Sequence, residues 1–545
     1  MKPDTKRNIL ISALYAGVLA LGIFLGQNFS DEQLSIGNTS LIPLGIAEKT
    51  SKVENVLQIV ENRYVDKVAL DTLQDYAITE ILQHLDPHST YLSPRKVQSI
   101  NESLQGSFDG IGIEYYIIND TLLVTNLVPN GPADRAGVMR GDRIVWVNDV
   151  QVSGIQVSKE EISNLVRGKR GTNVSLWISR AGKHIETPIR IQRNKITVSS
   201  IDAAYMIAPH LGYIKIRRFG AQTAAEFRAA LEGLLDQRAN KLILDLRDNT
   251  GGYFFSALEV ADEFFGADQI LVYTKGANEA KTDYYSTAGG LFESQPLIVL
   301  VNEQSASASE IVAGAVQDLD RGLVIGRRSF GKGLVQEQFD FGDGSAMNLT
   351  IARYYTPSGR SIQKPYNQGS LSYFNEIKQR YIDGELSSGT VNVADTIASD
   401  GQVYHTGKGR TIMVEGGIMP DIYIPIDTVM ITDFYREVVS KGLINRYVYH
   451  ELIGSPPAFS IEKFMEDYAL PRNTYKNFVK QIHTDLKNLS IKQQRASADL
   501  VECDMRALLA KFYFGDEAWF RVKNADDRIV QRAVEELEML SASEN

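Results

Sequence analysis

The spacing of apolar and polar residues changes character several times along the chain. From Asn8 to Gly26 it has no charge at all, "NILISALYAGVLALGIFLG", with Lys2, Lys6 and Arg7 before it and Asp31 and Glu32 after it. That length is close to the ~20 residues a membrane-spanning helix needs, and the basic flank belongs inside. No clear Ala-x-Ala site follows, so residues 1–30 are expected to be an uncleaved anchor; a cleaved signal peptide is the alternative. Either way the remainder is exported. The expected location is a single-pass inner-membrane protein with its main body in the periplasm or otherwise outside the cytoplasm.

Helical periodicity then runs from Glu48 to His84, with stripes at Val53, Leu57, Val60 and at Leu73, Ala77, Ile81. "LDPHSTYLSP" (85–94) ends it with two prolines, closing an N-terminal helical region assigned to 45–100. From Ser107 short alternating strands are broken by Gly and Asn-Asp turns. Between Tyr205 and Pro425 buried strands alternate with helices: "LGYIKIRRF", "TAAEFRAALEGLLDQ", "KLILDLRDNTGG", "FFSALEVADEFF" and "PLIVLVNEQSASASEIVAGAVQDLD". Strands of this kind imply a sheet covered on both faces. The segment 455–545 is expected to be helical, its last helix packing through Ile529, Ala533, Leu537 and Leu540.

Composition narrows the picture. A chain of 545 residues exceeds a single core. A net charge of -10 argues against nucleic acid as a partner. One cysteine, Cys503, excludes an internal disulfide and a thiolate metal cluster. No cofactor or metal is expected.

The segment 106–195 resembles a PDZ domain. The carrying residues are Gly110-Ile111-Gly112-Ile113, "GPADRAGVMRGDRIVWVND", and the helix ending at Leu165-Val166-Arg167-Gly168. The resemblance implies that backbone N–H groups of Gly110 to Gly112 hold a peptide carboxylate, with Ile111 and Ile113 lining a pocket for the last side chain.

"QSASASEIVAGAVQD" (304–318) places three serines between a buried strand and a helix. Serines there commonly cap, and Ser305 and Ser309 are read that way. Residues after such a strand also face the crevice where α/β proteins bind ligands. Lys332 lies between two glycines in "GRRSFGKGLVQEQF" (326–339), a segment expected to return to that crevice. Together with "LDPHSTYL", "DLRDNTGG", "YYTPSGRSIQ" and "GGIMPDI", these motifs resemble the C-terminal processing peptidases, or tail-specific proteases. The resemblance implies Ser307 as nucleophile, Lys332 as general base 25 residues on (332 − 307), Gln336 orienting the lysine, and Asp318 as structural support. It also puts Arg167 at a PDZ–protease junction, against the plainer reading of a solvated arginine. Where the family often has Asn-Pro-Gly-Gly, this chain has Asn249-Thr250-Gly251-Gly252.

A lysine accepts a proton only when neutral. Moving its pKa from about 10.4 to near 7 or 8 takes about 4 kcal/mol, supplied by burial in an apolar site. Gly331 and Gly333 let the backbone wrap tightly, and Phe330 and Leu334 are candidates to exclude water. The oxyanion would sit between the Ala308 N–H and that of Gly251 or Gly252, with Gly252 preferred. None of the seven histidines lies in either glycine-rich turn, and His88 reads as structural.

The expected architecture is an α/β multidomain protein: a crotonase-like α/β protease core (197–430), a PDZ domain and helical regions at both ends. The expected function is an exported serine endopeptidase that recognises free protein C-termini through its PDZ domain. The alternative is a catalytically inactive PDZ scaffold. Acyl-thioester chemistry on the same kind of core is disfavoured by export, since coenzyme A is cytoplasmic. The helical end regions make a homodimer plausible by family resemblance.

Overall fold

The computed structural model describes residues 51–388, 403–412, 416–454, 459–486 and 490–543. The expected membrane anchor, 1–30, lies outside them. Among the described residues no helix is long and apolar enough to cross a membrane. The chain divides into two compact units, 1–74 and 75–545.

In the first unit the helix Lys52–Arg63 starts at a Ser51 cap whose hydroxyl accepts the Glu54 N–H. It has no buried residue, and Val53, Val56 and Ile59 are exposed. Of the apolar stripe read from its sequence, Val53 is exposed while Leu57 and Val60 are half-buried.

The second unit is built on a six-stranded sheet. Its order is Ile201–Ala208, Leu211–Ile216, Lys241–Asp245, Leu297–Val301, Leu323–Gly326 and Ile422–Tyr423. The first pair is antiparallel and the remaining neighbours are parallel. Successive side chains in a strand point to opposite faces, and this sheet has two cores. Leu242, Leu244, Leu297, Val299 and Val301 pack with the helices Thr223–Asp236, Phe254–Asp262 and Ala308–Asp318. Ile243, Ile298 and Leu300 pack with Ile529, Val530, Ala533 and Leu537 of the helix Arg528–Ser543. The last helix is thus the second cover of the sheet.

A second sheet pairs Leu334–Asp340 and Ile270–Lys275 with Ala346–Tyr355. Thr90–Leu92 joins it too, opposite Ala346 to Asn348. Residues 85–94, assigned by sequence to the N-terminal helical region, therefore belong in part to the protease core. Pro87 follows the end of the helix Leu70–Gln83, the alternating Thr-Tyr-Leu pairs along the Ala346–Tyr355 strand, and Pro94 opens the next helix, Pro94–Gln105.

The PDZ domain has the strands Ile113–Ile118, Thr121–Leu127, Arg143–Val147 and Asn173–Arg180 around Val124, Ile144, Ile162, Val174 and Leu176. It connects to the core through a two-stranded ribbon, Ser107–Gly110 against Asn194–Thr197. Its outer face enters the C-terminal helical core, where Ile118 and Leu123 pack with Phe512, Tyr449 and Val448. That helical region begins at Asp433 rather than 455. Phe434 and Val438, one helical turn apart, carry its first buried face.

Candidate active site

Two turns at the carboxyl ends of neighbouring parallel strands form the site. One follows Lys241–Asp245; the other follows Leu297–Val301 and leads into the helix Ala308–Asp318. They are tied together. The Asp248 N–H donates to Asn302 Oδ1 (2.9 Å), Asn302 Nδ2 donates to Asp248 Oδ1 (2.8 Å), and the Ala306 N–H donates to the Asn249 carbonyl (3.0 Å).

This geometry separates the three serines. Ser305 and Ser309 are 0% exposed. Ser305 Oγ donates to the Leu246 carbonyl at 2.8 Å and Ser309 Oγ to the Asn249 carbonyl at 2.9 Å. Both stitch one turn to the other, so the helix-cap reading is corrected: Ser307 occupies the N-cap position. Ser307 is half-buried and lines a cleft of about 870 Å³. Its backbone has φ 55° and ψ -113°, a conformation that costs a non-glycine residue ~1–3 kcal/mol and persists only where the surroundings enforce it.

Glycine is required opposite. A Cβ on Gly252 would lie 1.9 Å from the Phe219 carbonyl oxygen, and one on Gly251 2.8 Å from Ser307 Cβ. The N–H groups of Gly252 and Ala308 have no hydrogen-bond partner among the described residues, and both residues line the Ser307 cleft. Ala308 opens its helix, where free N–H groups and the positive dipole end favour an anion. Such a pair can receive a developing oxyanion.

Lys332 lines the same cleft. Its Nζ donates to Gln336 Oε1 at 2.7 Å, and no hydrogen bond joins it to Ser307 among the described residues. Gln336 Nε2 donates in turn to the His88 carbonyl. Burial holds the lysine's pKa below its ordinary value, opposed by the nearby charges of Glu310 and Asp86. Leu334 is buried beside it, whereas Phe330 turns toward Tyr373 and Lys364. The backbone N–H of His88 donates to Asp86 Oδ1 at 2.7 Å, and burial with the Lys332 charge lowers its pKa to about 3.

Sequence reasoning missed Glu310. It is fully buried inside an apolar helix. Oε1 accepts the Ser329 hydroxyl (2.5 Å) and the Gly331 N–H (2.7 Å); Oε2 accepts the N–H groups of Ser307 (2.8 Å) and Lys332 (2.9 Å). One carboxylate therefore ties the serine turn to the lysine turn. Burial pushes its pKa up to about 7 against the pull of those four donors. The signal was in Ser307-Ala308-Ser309-Glu310, a Ser-x-x-Glu capping pattern. Tyr354 adds a second tie, its hydroxyl donating to the carbonyls of Ser307 (3.0 Å) and Lys332 (2.5 Å). Asp318 lies at the far end of the helix in a fully buried ion pair with Arg360 (2.7 Å), the structural support expected of it.

Ser307, Ala308, Gly252, Lys332 and Gln336 thus share one cleft. None of Gly110, Ile111, Gly112, Ile113 and Arg167 lines it. Ile111 is 2% exposed in the PDZ core, its carbonyl accepting the Ala133 N–H. Gly112, at φ +77°, turns the chain into the strand that begins at Ile113. Arg167 lies between PDZ domain and core, with its guanidinium 2.8 Å from Glu102 and 4.3 Å from the Phe108 ring centre. Among the described residues no cluster of three or more His, Cys, Asp or Glu side chains could hold a metal ion.

The chain is similar to known proteins in both parts. Residues 210–368 match the model of peptidase family S41 and residues 123–180 that of the PDZ domain. A carboxy-terminal-processing protease of Bartonella bacilliformis is 36% identical over 321 residues, 58% of this chain and 73% of that protein. The carboxy-terminal processing protease CtpB of Bacillus subtilis is 34% identical over 352 residues, 64% of this chain and 72% of that protein. A solved structure, the photosystem II D1 C-terminal processing protease, is 30% identical with a TM-score of 0.32, covering 56% of this chain and 83% of that one. The chain belongs to the carboxy-terminal processing proteases, serine-type peptidases that carry a PDZ domain.

Proposed function

We propose that Ser307 and Lys332 form the catalytic dyad of an exported endopeptidase whose PDZ domain recognises free protein C-termini. Ser307 Oγ attacks the scissile carbonyl and its proton passes to Lys332 Nζ. The oxyanion is received by the N–H groups of Ala308 and Gly252. Lys332 then gives the proton to the leaving amine, and water releases the acyl-enzyme. Gln336 orients the lysine. The observation that carries this reading is the division of labour among the serines: Ser305 and Ser309 are buried and bonded, and only Ser307 opens on the cleft.

On the same reading, Gly110 to Ile113 holds the carboxylate of the substrate's tail and Arg167 reports its presence to the core. Residues 1–30 anchor the protein in the inner membrane with the catalytic part outside the cytoplasm, as the charge asymmetry around the apolar run suggests. The exposed apolar residues Val53, Val56 and Ile59 on the helix Lys52–Arg63 favour a homodimer in which the helical end regions take part.

The test is covalent labelling with a serine-directed phosphonate, mapped by mass spectrometry. A label on Ser307, absent in Ser307→Ala together with cleavage of a denatured protein, is the expected result. Labelling of Ser305 or Ser309 would move the nucleophile, and cleavage by Ser307→Ala at the wild-type rate would remove it from this turn.

A further inference from the structure

The wall of the cleft opposite the lysine turn carries a set of side chains that the catalytic reading does not use. The helix Phe254–Asp262 presents Phe255, Ser256 and Glu259 to it, Glu259 lying four residues from Phe255 and three from Ser256 and so neighbouring both. Ser256 is 7% exposed, and among the described residues its hydroxyl has no hydrogen-bond partner. A buried hydroxyl without a partner carries a desolvation cost that a bound donor or acceptor offsets. Glu259 is exposed and, among the described residues, has no ion-pair partner. Tyr284 stands at the same wall, its ring edge-on to that of Phe254 at 4.9 Å. Phe255 is 65% exposed, a large amount for an apolar ring in a cleft.

Charge completes the pattern. The cleft is lined by three glutamates, Glu259, Glu279 and Glu337, and by a single basic residue, Lys332. Lys332 works only as the neutral amine, so a productive cleft is acidic throughout. A lysine or arginine side chain fits these features together. Its methylene stem lies against aromatic rings, its charge is attracted to their faces, and its head group meets Glu259 and the Ser256 hydroxyl.

We infer that this wall is a subsite for a basic side chain of the substrate close to the scissile bond, so that the enzyme favours polypeptides carrying lysine or arginine there. The inference rests on the reading of Ser307 as nucleophile, but it concerns binding and can be measured without catalysis. The probes are two fluorescein-labelled decapeptides with the same free C-terminus, differing only in Lys or Gln at the positions flanking the bond that the wild-type protein cuts in the Lys peptide. Affinity is read by anisotropy on full-length Ser307→Ala, and cleavage on the wild type.

The Lys peptide is expected to bind and to be cut about tenfold better at low salt, the lower range for charge-assisted contacts at a partly exposed site. In Glu259→Gln that ratio falls toward one, and in Ser256→Ala it falls by a smaller factor. Raising the salt narrows the ratio in wild type. Equal affinity of Ser307→Ala for the two peptides would overturn the subsite even if wild-type cleavage and Ser307 labelling are intact. A lysine preference in binding, with no cleavage or labelling of wild type, would leave the subsite standing and overturn the nucleophile instead. An unchanged ratio in Glu259→Gln would refute the assignment to this wall.

Discussion

Two glycine turns carry the proposed function of this protein, and they are held in different ways. The catalytic turn pair, 245–252 and 302–309, is enclosed. Ser305, Ser309, Asn249 and Glu310 are all 0% exposed, and each bonds across to another segment. Gly110, Ile111 and Gly112 of the PDZ loop are buried too, but the loop belongs to a domain joined to the core by a two-stranded ribbon. Its domain is steadied from behind by the C-terminal helices and at the side by solvent-exposed ion pairs, Arg167–Glu102 and Arg95–Glu160. An oxyanion site loses its value when donors shift by a fraction of an ångström, so enclosure suits it. A tail-binding site gains from being able to move relative to the serine. The contrast yields a ranking: disturbances in the catalytic turns should cost far more activity than disturbances around the PDZ domain.

Glu310→Gln should have the largest effect. Both oxygens of Glu310 accept two donors each, so either orientation of the amide sets its NH₂ against two N–H or O–H groups. Burying mismatched donors costs ~1–3 kcal/mol each. The expected result is a fall in kcat/KM of at least about 100-fold with a lower melting temperature, since a small misplacement alone costs about that much. Near wild-type turnover by Glu310→Gln would show that the serine and lysine turns hold their geometry independently.

What the sequence disclosed follows the same division. Strands of the core were legible because burial on both faces leaves uninterrupted apolar runs such as Leu297 to Val301. The cleft residues were named through the resemblance to the C-terminal processing peptidases, since serines before a helix and a lysine between glycines do not by themselves mark a site. Glu310 was not, because an acid after three serines reads as ordinary helix-start chemistry until the fold brings Ser329, Gly331 and Lys332 to it. The Thr90–Leu92 strand and the docking of Ile118 and Leu123 on the C-terminal helices were hidden for a related reason. Each is a pairing between segments far apart in sequence, and no local period records its partner.

The pH profile probes the catalytic side next. Burial lowers the Lys332 pKa, so the neutral amine becomes available at lower pH than for a free lysine, and only that form accepts the serine proton. Below the shifted pKa, kcat/KM should rise about tenfold per pH unit and then level off. The profile is to be measured only where circular dichroism shows the fold intact. A rate falling steadily from pH 6 to 9 would exclude lysine as base.

On the PDZ side, Arg140 ties the domain to the helices. Its guanidinium donates to the carbonyls of Phe512 (2.9 Å) and Tyr513 (3.0 Å) and to Asn126 Oδ1 (2.8 Å). Arg140→Ala should weaken this docking by about 1–2 kcal/mol, toward the low end for bonds to a charged group because the site is partly exposed. Amide exchange in the strands Ile113–Ile118 and Thr121–Leu127 should quicken while that of Leu297–Val301 stays as it was. Unchanged exchange in all three would mean that apolar packing alone carries the docking.

The smallest effect is expected at Arg167, and it tests whether the movable region talks to the fixed one. Its ion pair with Glu102 has side chains 46% and 24% exposed, so the pair contributes only ~0.2–1 kcal/mol. The Phe108 ring at 4.3 Å adds a comparable amount. Arg167→Ala should therefore reduce cleavage of substrates with a free C-terminal carboxylate by less than about tenfold. Tail affinity, measured on full-length protein that also carries Ser307→Ala, should hold steady. Glu102 lies on the helix Pro94–Gln105, which leads directly into the ribbon strand Ser107–Gly110, so the pair spans the junction between the two regions. If it transmits occupancy, Glu102→Gln should reproduce the loss, and the double variant should be no worse than either single one. Additive losses would make the two residues independent surface contacts. Loss of tail affinity in Arg167→Ala would place the arginine in the tail site itself rather than between the two regions.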